Sequence, residues 1–340
     1  MAPNFAKIRA VFKKNLKFIE AKMNLKNENI SKLSNFPIMF FAVTMGLGGL
    51  SIAYRAISEA YGAPHFIFEI LRFFALGVFA LISAFYTAKI IKFPRAVQAE
   101  FTHPIKLSFF ATFSISLLLL AIAFNDISAL HSAFYGVAMI FHAFLTLYII
   151  SFWIQKNMLI THSNPAWFIP IVGNLIVVIA ASEKGEYLWY FFSIGIFFWI
   201  VLFSIVFYRI IFHDQLAQKF VPTLFIMIAP PSVAFLGYIN IGGEFDMLAK
   251  ILINLVLFFT LLIFFMAKSF FGLKFFLSWW AFTFPTAAGC IAFMKAYFLS
   301  AEVWFARLGL GMFALLCVLI AIVGYHTIKG LINGEICVQE

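Results

Sequence analysis

The chain has 340 residues, of which 64% are apolar and 11% charged, whereas a soluble domain is about 45–50% apolar and about 25% charged. This composition excludes a sizeable soluble domain and describes an all-α integral membrane protein, with apolar residues for up to about ten spans of about 20 residues each. The net charge of +10 is no signature of nucleic-acid binding, because eight of the 24 Lys and Arg fall within the first 33 residues.

Those eight, Lys7, Arg9, Lys13, Lys14, Lys17, Lys22, Lys26 and Lys32, are interleaved with Phe, Leu and Ile. Residues 1–34 therefore read as a basic, partly amphipathic tail facing anionic lipid on the cytoplasmic side. No short apolar core followed by a small-residue cleavage site succeeds the basic stretch, so no secretory signal is expected.

Beyond the tail, apolar runs between polar breaks predict ten spans, near 36–58, 66–88, 103–123, 131–154, 165–182, 187–211, 221–241, 247–267, 275–298 and 303–328. Their continuity favours helices over barrel strands, which alternate with a period of two. Turn-formers stand between them: Tyr61-Gly62-Ala63-Pro64, Phe93-Pro94, Ser163-Asn164-Pro165, Lys184-Gly185 and Gly242-Gly243. The membrane domain is placed at 35–330 and a short cytoplasmic tail at 331–340. Counting Lys and Arg on alternate sides gives 18 with both termini and six opposite, so both termini are expected in the cytoplasm.

Prolines impose a second order on these spans. Pro37, Pro104, Pro165, Pro170, Pro222, Pro230, Pro231 and Pro285 all fall at or within odd-numbered spans, and even spans hold none. Prolines marking helix starts account for Pro37, Pro104, Pro165 and Pro222. Pro170, Pro230 and Pro285 read as interior kinks, whose freed carbonyls need protein or a water-filled cavity as partner. The odd helices are therefore expected to line an interior, and the even helices to face lipid. Successive odd spans start about 55–67 residues apart with similar texture, the pattern of five helical hairpins in an internal repeat.

At membrane depth the spans carry essentially no Asp, Glu, Lys or Arg, the usual mark of proton-coupled carriers. Hydroxyls and amides remain on the odd helices: Thr44, Ser51, Thr112, Ser114, Ser116, Asn174, Ser232, Thr283 and Thr286. They can offer an anion a hydrogen bond without a fixed charge that would trap it. Equally, such groups bond back to their own helix or pack between helices. His131 and His142 stand eleven residues apart on one predicted helix, too far along it to clamp a single haem or metal. Arg55 with Glu59 and Glu69 with Arg72 have the spacing of helix-surface ion pairs. Gly46, Gly48 and Gly49 allow close helix approach. Cys290, Cys317 and Cys337 lack any metal-ligand spacing. No metal, cofactor or enzyme motif is read from the chain.

Trp279-Trp280-Ala281-Phe282-Thr283-Phe284, Ala229-Pro230, Trp167-Phe168-Ile169-Pro170 and Glu100-Phe101-Thr102-His103-Pro104-Ile105-Lys106 resemble the tellurite-resistance/dicarboxylate transporter family, which includes the plant guard-cell slow anion channels. The resemblance covers roughly 36–332. It implies ten transmembrane helices as five hairpins in a pseudo-fivefold ring around a central pore, assembled as a homotrimer in a bacterial-type inner membrane. It also implies that a phenylalanine on the ninth helix, Phe284 here, plugs the pore. A bulky apolar ring at a constriction blocks ions by excluding water. This chain departs from the family's pattern at Thr44 and Ser114, where relatives often place a kinking proline, and at Pro285.

The function expected is passive passage of small inorganic anions through an uncharged pore gated by Phe284. Pro170, Pro230, Pro285, Thr44, Ser114 and Thr283 are its candidate kink and lining residues. The alternatives are a carrier of C4-dicarboxylates such as malate, tellurite-related export, or a membrane scaffold that transports nothing. The partners expected are the transported anions or dicarboxylates and membrane lipids, with no nucleic acid.

Overall fold

The computed structural model describes residues 32–338, so nearly all of the basic tail lies outside the described residues. Every regular element among them is helical, because in lipid a backbone N–H must find its acceptor within its own segment. The α-helices are α1 (Phe41–Tyr61), α2 (His65–Lys92), α3 (Pro94–Phe101), α4 (Ala111–Ala123), α5 (Ser128–Gln155), α6 (Ile169–Ala180), α7 (Tyr187–Phe212), α8 (Ala229–Asn240), α9 (Met247–Phe265), α10 (Thr283–Ser300) and α11 (Val303–Ile332). Among the described residues nine helical stretches are long and apolar enough to cross a membrane. The span expected near 165–182 is shorter, a four-residue 3-10 turn, Pro165–Phe168, continued by the 12 residues of α6.

The buried helices share an entrance that hydropathy does not predict. α1, α4, α6, α8 and α10 are each entered through a 3-10 stretch: Ile38–Phe40, Lys106–Phe110, Pro165–Phe168, Gln218–Ile228 and Leu277–Phe282. Pro170, Pro230 and Pro285, expected as interior kinks, stand in the first turns of α6, α8 and α10, where the chain leaves the 3-10 stretch. A first-turn position is where a missing N–H costs least.

Burial alternates along the chain. The most apolar windows of the spans containing α1, α4, α8 and α10 are 72–83% buried, against 22–39% for α2, α5, α7, α9 and α11. α6 is buried along nearly its whole length. Consecutive helices pack as pairs: α1 with α2, α4 with α5, α6 with α7, α8 with α9, and α10 with α11. The buried members also touch in cyclic order, α1 on α4, α4 on α6, α6 on α8, α8 on α10 and α10 back on α1. Small residues permit the closest of these approaches. A β-carbon at Gly46 would run into Thr283 and Trp280, and one at Gly48 would stand 3.2 Å from Leu119 Cβ. Gly62, at φ +69°, ends α1 in the left-handed conformation and donates its N–H to Ser58.

Candidate functional site

One cavity lies at the starting ends of the buried helices, and an open one lies at the finishing ends of α1, α8 and α10. The first, of about 40 Å³, is lined by residues of every 3-10 entrance or first turn, among them Met45, Thr112, Val172, Ala229 and Phe284. Its wall is nearly all apolar, and its volume holds no more than one or two waters. The second, of about 610 Å³, is lined by Arg55, Glu59, His65, Asn125, Asp126 and Lys295, with apolar residues between them.

Phe284 is the second residue of α10 and is buried. Phe284 forms part of the wall of the narrow cavity, as does Pro285. The hydroxyls expected to serve an anion mostly serve the protein. Thr44 donates to Phe41 O at 2.7 Å and lies 2.5 Å from Ser116 Oγ on α4. Thr283 donates to Trp280 O, Ser232 to Ile228 O and Thr286 to Phe282 O. Thr112, on the cavity wall, donates to Phe109 O. Thr44, Ser114, Thr283, Pro170 and Pro230 are absent from that wall. Bonding back to a carbonyl satisfies a hydroxyl that has no water to turn to.

Ser114 instead turns toward α5, where His142 is fully buried. Ser114 Oγ lies 2.8 Å from His142 Nδ1, and His142 Nε2 lies 2.9 Å from Pro170 O. Asn174 Nδ2 donates to the same Pro170 carbonyl and to Thr146 Oγ1, both at 3.0 Å. One imidazole thus joins α4 to α6 from the outer helix. His131 is tied separately, its Nδ1 lying 3.0 Å from Ala121 O.

Charges are buried near helix ends rather than at depth. At the wide cavity Arg72 pairs with Glu69 (2.6 Å) and with Asp126 (2.5 Å) while standing over the rings of Phe68 and Phe124. Arg55 pairs loosely with Glu59 (3.9 Å) and donates to Ile122 O and Asn125 Oδ1. The Arg72 guanidinium, hydrogen-bonded to Asp126, holds that carboxyl below its ordinary range. At the opposite end Lys89, almost wholly buried, donates to Glu100 Oε2 at 2.7 Å and to Phe36 O at 2.8 Å. Tyr86 Oη and the Ile38 N–H also donate to Glu100. Sequence spacing had marked Arg55–Glu59 and Glu69–Arg72, but not Asp126, Lys89 or Glu100. Eleven residues separate Lys89 from Glu100, and a helix break lies between them.

These features define an α-helical, multi-pass membrane protein whose buried helices flank a narrow apolar cavity. The family model described as SLAC1, voltage-dependent anion channel, matches residues 35–328, and the chain belongs to that family. The chain is 30% identical over 276 residues to the S-type anion channel SLAH3 of Arabidopsis thaliana, covering 77% of this chain and 43% of that one. It is 28% identical over 288 residues to the guard cell S-type anion channel SLAC1 of the same plant, covering 79% and 51%. To the tellurite resistance protein TehA homolog of Haemophilus influenzae it is 27% identical over 237 residues, covering 66% and 70%. The match spans about half the length of the SLAH3 and SLAC1 channels.

Proposed function

We propose that this protein is a channel-like anion permease, in which five helical hairpins, ten crossing segments in all, form a ring around a pore occluded by Phe284. The cyclic contacts among α1, α4, α6, α8 and α10 support the ring. The observation that carries the occlusion is Phe284 in the wall of a cavity of about 40 Å³. A passage this narrow and apolar has room for too little water to hydrate an ion, and an ion that sheds water without replacement meets a steep barrier. Membership in an anion-channel family and the plant relatives' names support anions as the cargo.

The lack of ionisable groups on the cavity wall favours passive flow over a tightly proton-coupled carrier. The excess of Lys and Arg on the side of both termini favours a cytoplasmic position for that side in a bacterial-type inner membrane. The resemblance adds the expectation of a homotrimer with one pore per subunit. Replacing Phe284 by Ala is expected to raise anion current several-fold in planar bilayers. Unchanged current from correctly inserted protein removes Phe284 from the role.

A further inference from the structure

We propose that Arg209, in the last turn of α7, is a binding site for the phosphate group of an anionic phospholipid. The inference concerns the outer layer of helices and does not depend on what passes through the pore.

α7 turns one buried stripe toward the rest of the bundle: Gly195, Trp199, Leu202, Val206 and Arg209, three or four residues apart. Arg209 stands where the stripe calls for an apolar residue and is only 4% exposed. Its Nε and Nη1 are buried without a hydrogen-bond partner. Arg72, equally buried, shows what such a side chain ordinarily has, since Glu69 and Asp126 both pair with it. Around Arg209 no such partner is available. α7 itself and the elements it packs on, α6, α8 and the Pro165–Phe168 stretch, contain no Asp or Glu. Asp214, in the segment after α7, is exposed, and among the described residues it forms no ion pair with Arg209.

A guanidinium does not shed its charge to ease burial, as an amine can. A water molecule satisfies an N–H but not the charge, and a buried charge without a counter-ion is costly. The counter-ion must therefore come from outside the chain, and the position says from where. α6 and α7 form a hairpin, so α7 finishes at the end where the buried helices start. Tyr208 and Phe212 flank Arg209 and are exposed, as aromatic residues at the level of lipid headgroups are. A basic group between helices at that level is a site for anionic headgroups. The long arginine stem moves its head between a helix face and the interface, and the planar fork matches two phosphate oxygens at once. Inorganic phosphate offers the same oxygens, but only a lipid also has acyl chains to lie along the exposed Phe207 and Ile211.

The test measures thermal unfolding of the full chain and of Arg209→Met in a neutral detergent, with added phosphatidylglycerol, phosphatidylcholine or inorganic phosphate. Phosphatidylglycerol is expected to raise the unfolding temperature of the unaltered chain by several degrees more than phosphatidylcholine does, and Arg209→Met to lose at least half of that difference. Lys268→Met, which removes an exposed charge at the same end, is expected to keep it. A difference that is the same with and without Arg209 overturns the inference. Stabilisation by inorganic phosphate that equals that by phosphatidylglycerol and disappears with Arg209→Met keeps the phosphate site and assigns it a soluble anion. If Arg209→Met does not fold, native mass spectrometry of the unaltered chain decides. Retention of phosphatidylglycerol in preference to phosphatidylcholine at equal concentration, weakened by Arg209→Lys, supports the site, and equal retention of the two lipids removes it.

Discussion

Gly49 on α1 lies against Phe284 on α10: a β-carbon added at Gly49 would stand 3.7 Å from Phe284 Cδ2 and only 2.8 Å from Ala287 Cβ. The second distance is shorter than carbon atoms tolerate, so Gly49→Ala must push α10 away from α1. Overpacking of this kind costs about 1–3 kcal/mol. Gly46→Ala, blocked by Thr283 and Trp280, is expected to cost more, whereas Gly77→Ala on α2 meets nothing within 4 Å. Thermal denaturation in detergent is expected to rank the three in that order. Because Phe284 rides on the displaced helix, Gly49→Ala also alters anion flux, and Gly77→Ala leaves it at the wild-type level.

The Lys89–Glu100 pair ties α2 and α3 to the backbone at Phe36 and Ile38, where the chain enters the membrane domain. Lys89→Met leaves the Glu100 carboxylate buried with only Tyr86 and the Ile38 N–H as donors. Breaking a buried pair on one side costs about 3–5 kcal/mol, while replacing both partners by apolar groups is often close to neutral. The double variant Lys89→Met/Glu100→Leu is therefore expected to recover most of the stability lost by Lys89→Met alone. Unfolding of the wild type, Lys89→Met, Glu100→Leu and the double variant in detergent measures this, and a double loss equal to the sum of the two single losses rules out the coupling.

Much of this arrangement was legible in the sequence. Apolar runs located the long helices, and the proline distribution separated α1, α4, α6, α8 and α10 from their partners before burial was known. The proline geometry was harder to read, because a proline has the same fixed φ in a kink and in the first turn after a 3-10 stretch. His142 was visible as a histidine on an apolar helix. Its partners, a serine on α4 and a carbonyl of α6, share no spacing with it, and the backbone acceptor leaves no mark in the sequence at all. Thr44, Ser114 and Thr283 were identifiable as buried hydroxyls. Whether each faces a path or its own helix depends on rotamers that hydropathy does not encode. Lys89 and Glu100 have no spacing that marks them as a pair, since only the fold of α3 back onto α2 brings them together.

Asp126 sets an acid limit on the wide cavity. Its carboxyl, hydrogen-bonded to Arg72 at 2.5 Å, titrates below its ordinary value of 3.8, because Arg72 favours the ionised form. Between those two values the unfolded chain binds the proton and the folded chain does not, so folding stability falls as pH drops. The contribution is fully present above the ordinary value of 3.8 and is lost as pH falls through the lower, folded one. Asp126→Asn is expected to flatten the acid limb of the stability profile below about pH 4 while leaving its slope near neutrality unchanged. The side chain is 53% exposed, so salt is expected to shrink the effect. The same change removes a negative charge from the cavity that Arg55 and Lys295 also line. Anion flux at neutral pH is therefore expected to rise, most at low ionic strength where screening is weakest. Flux that falls or stays level while the acid limb flattens would separate the structural ion pair from any part in drawing anions to the mouth.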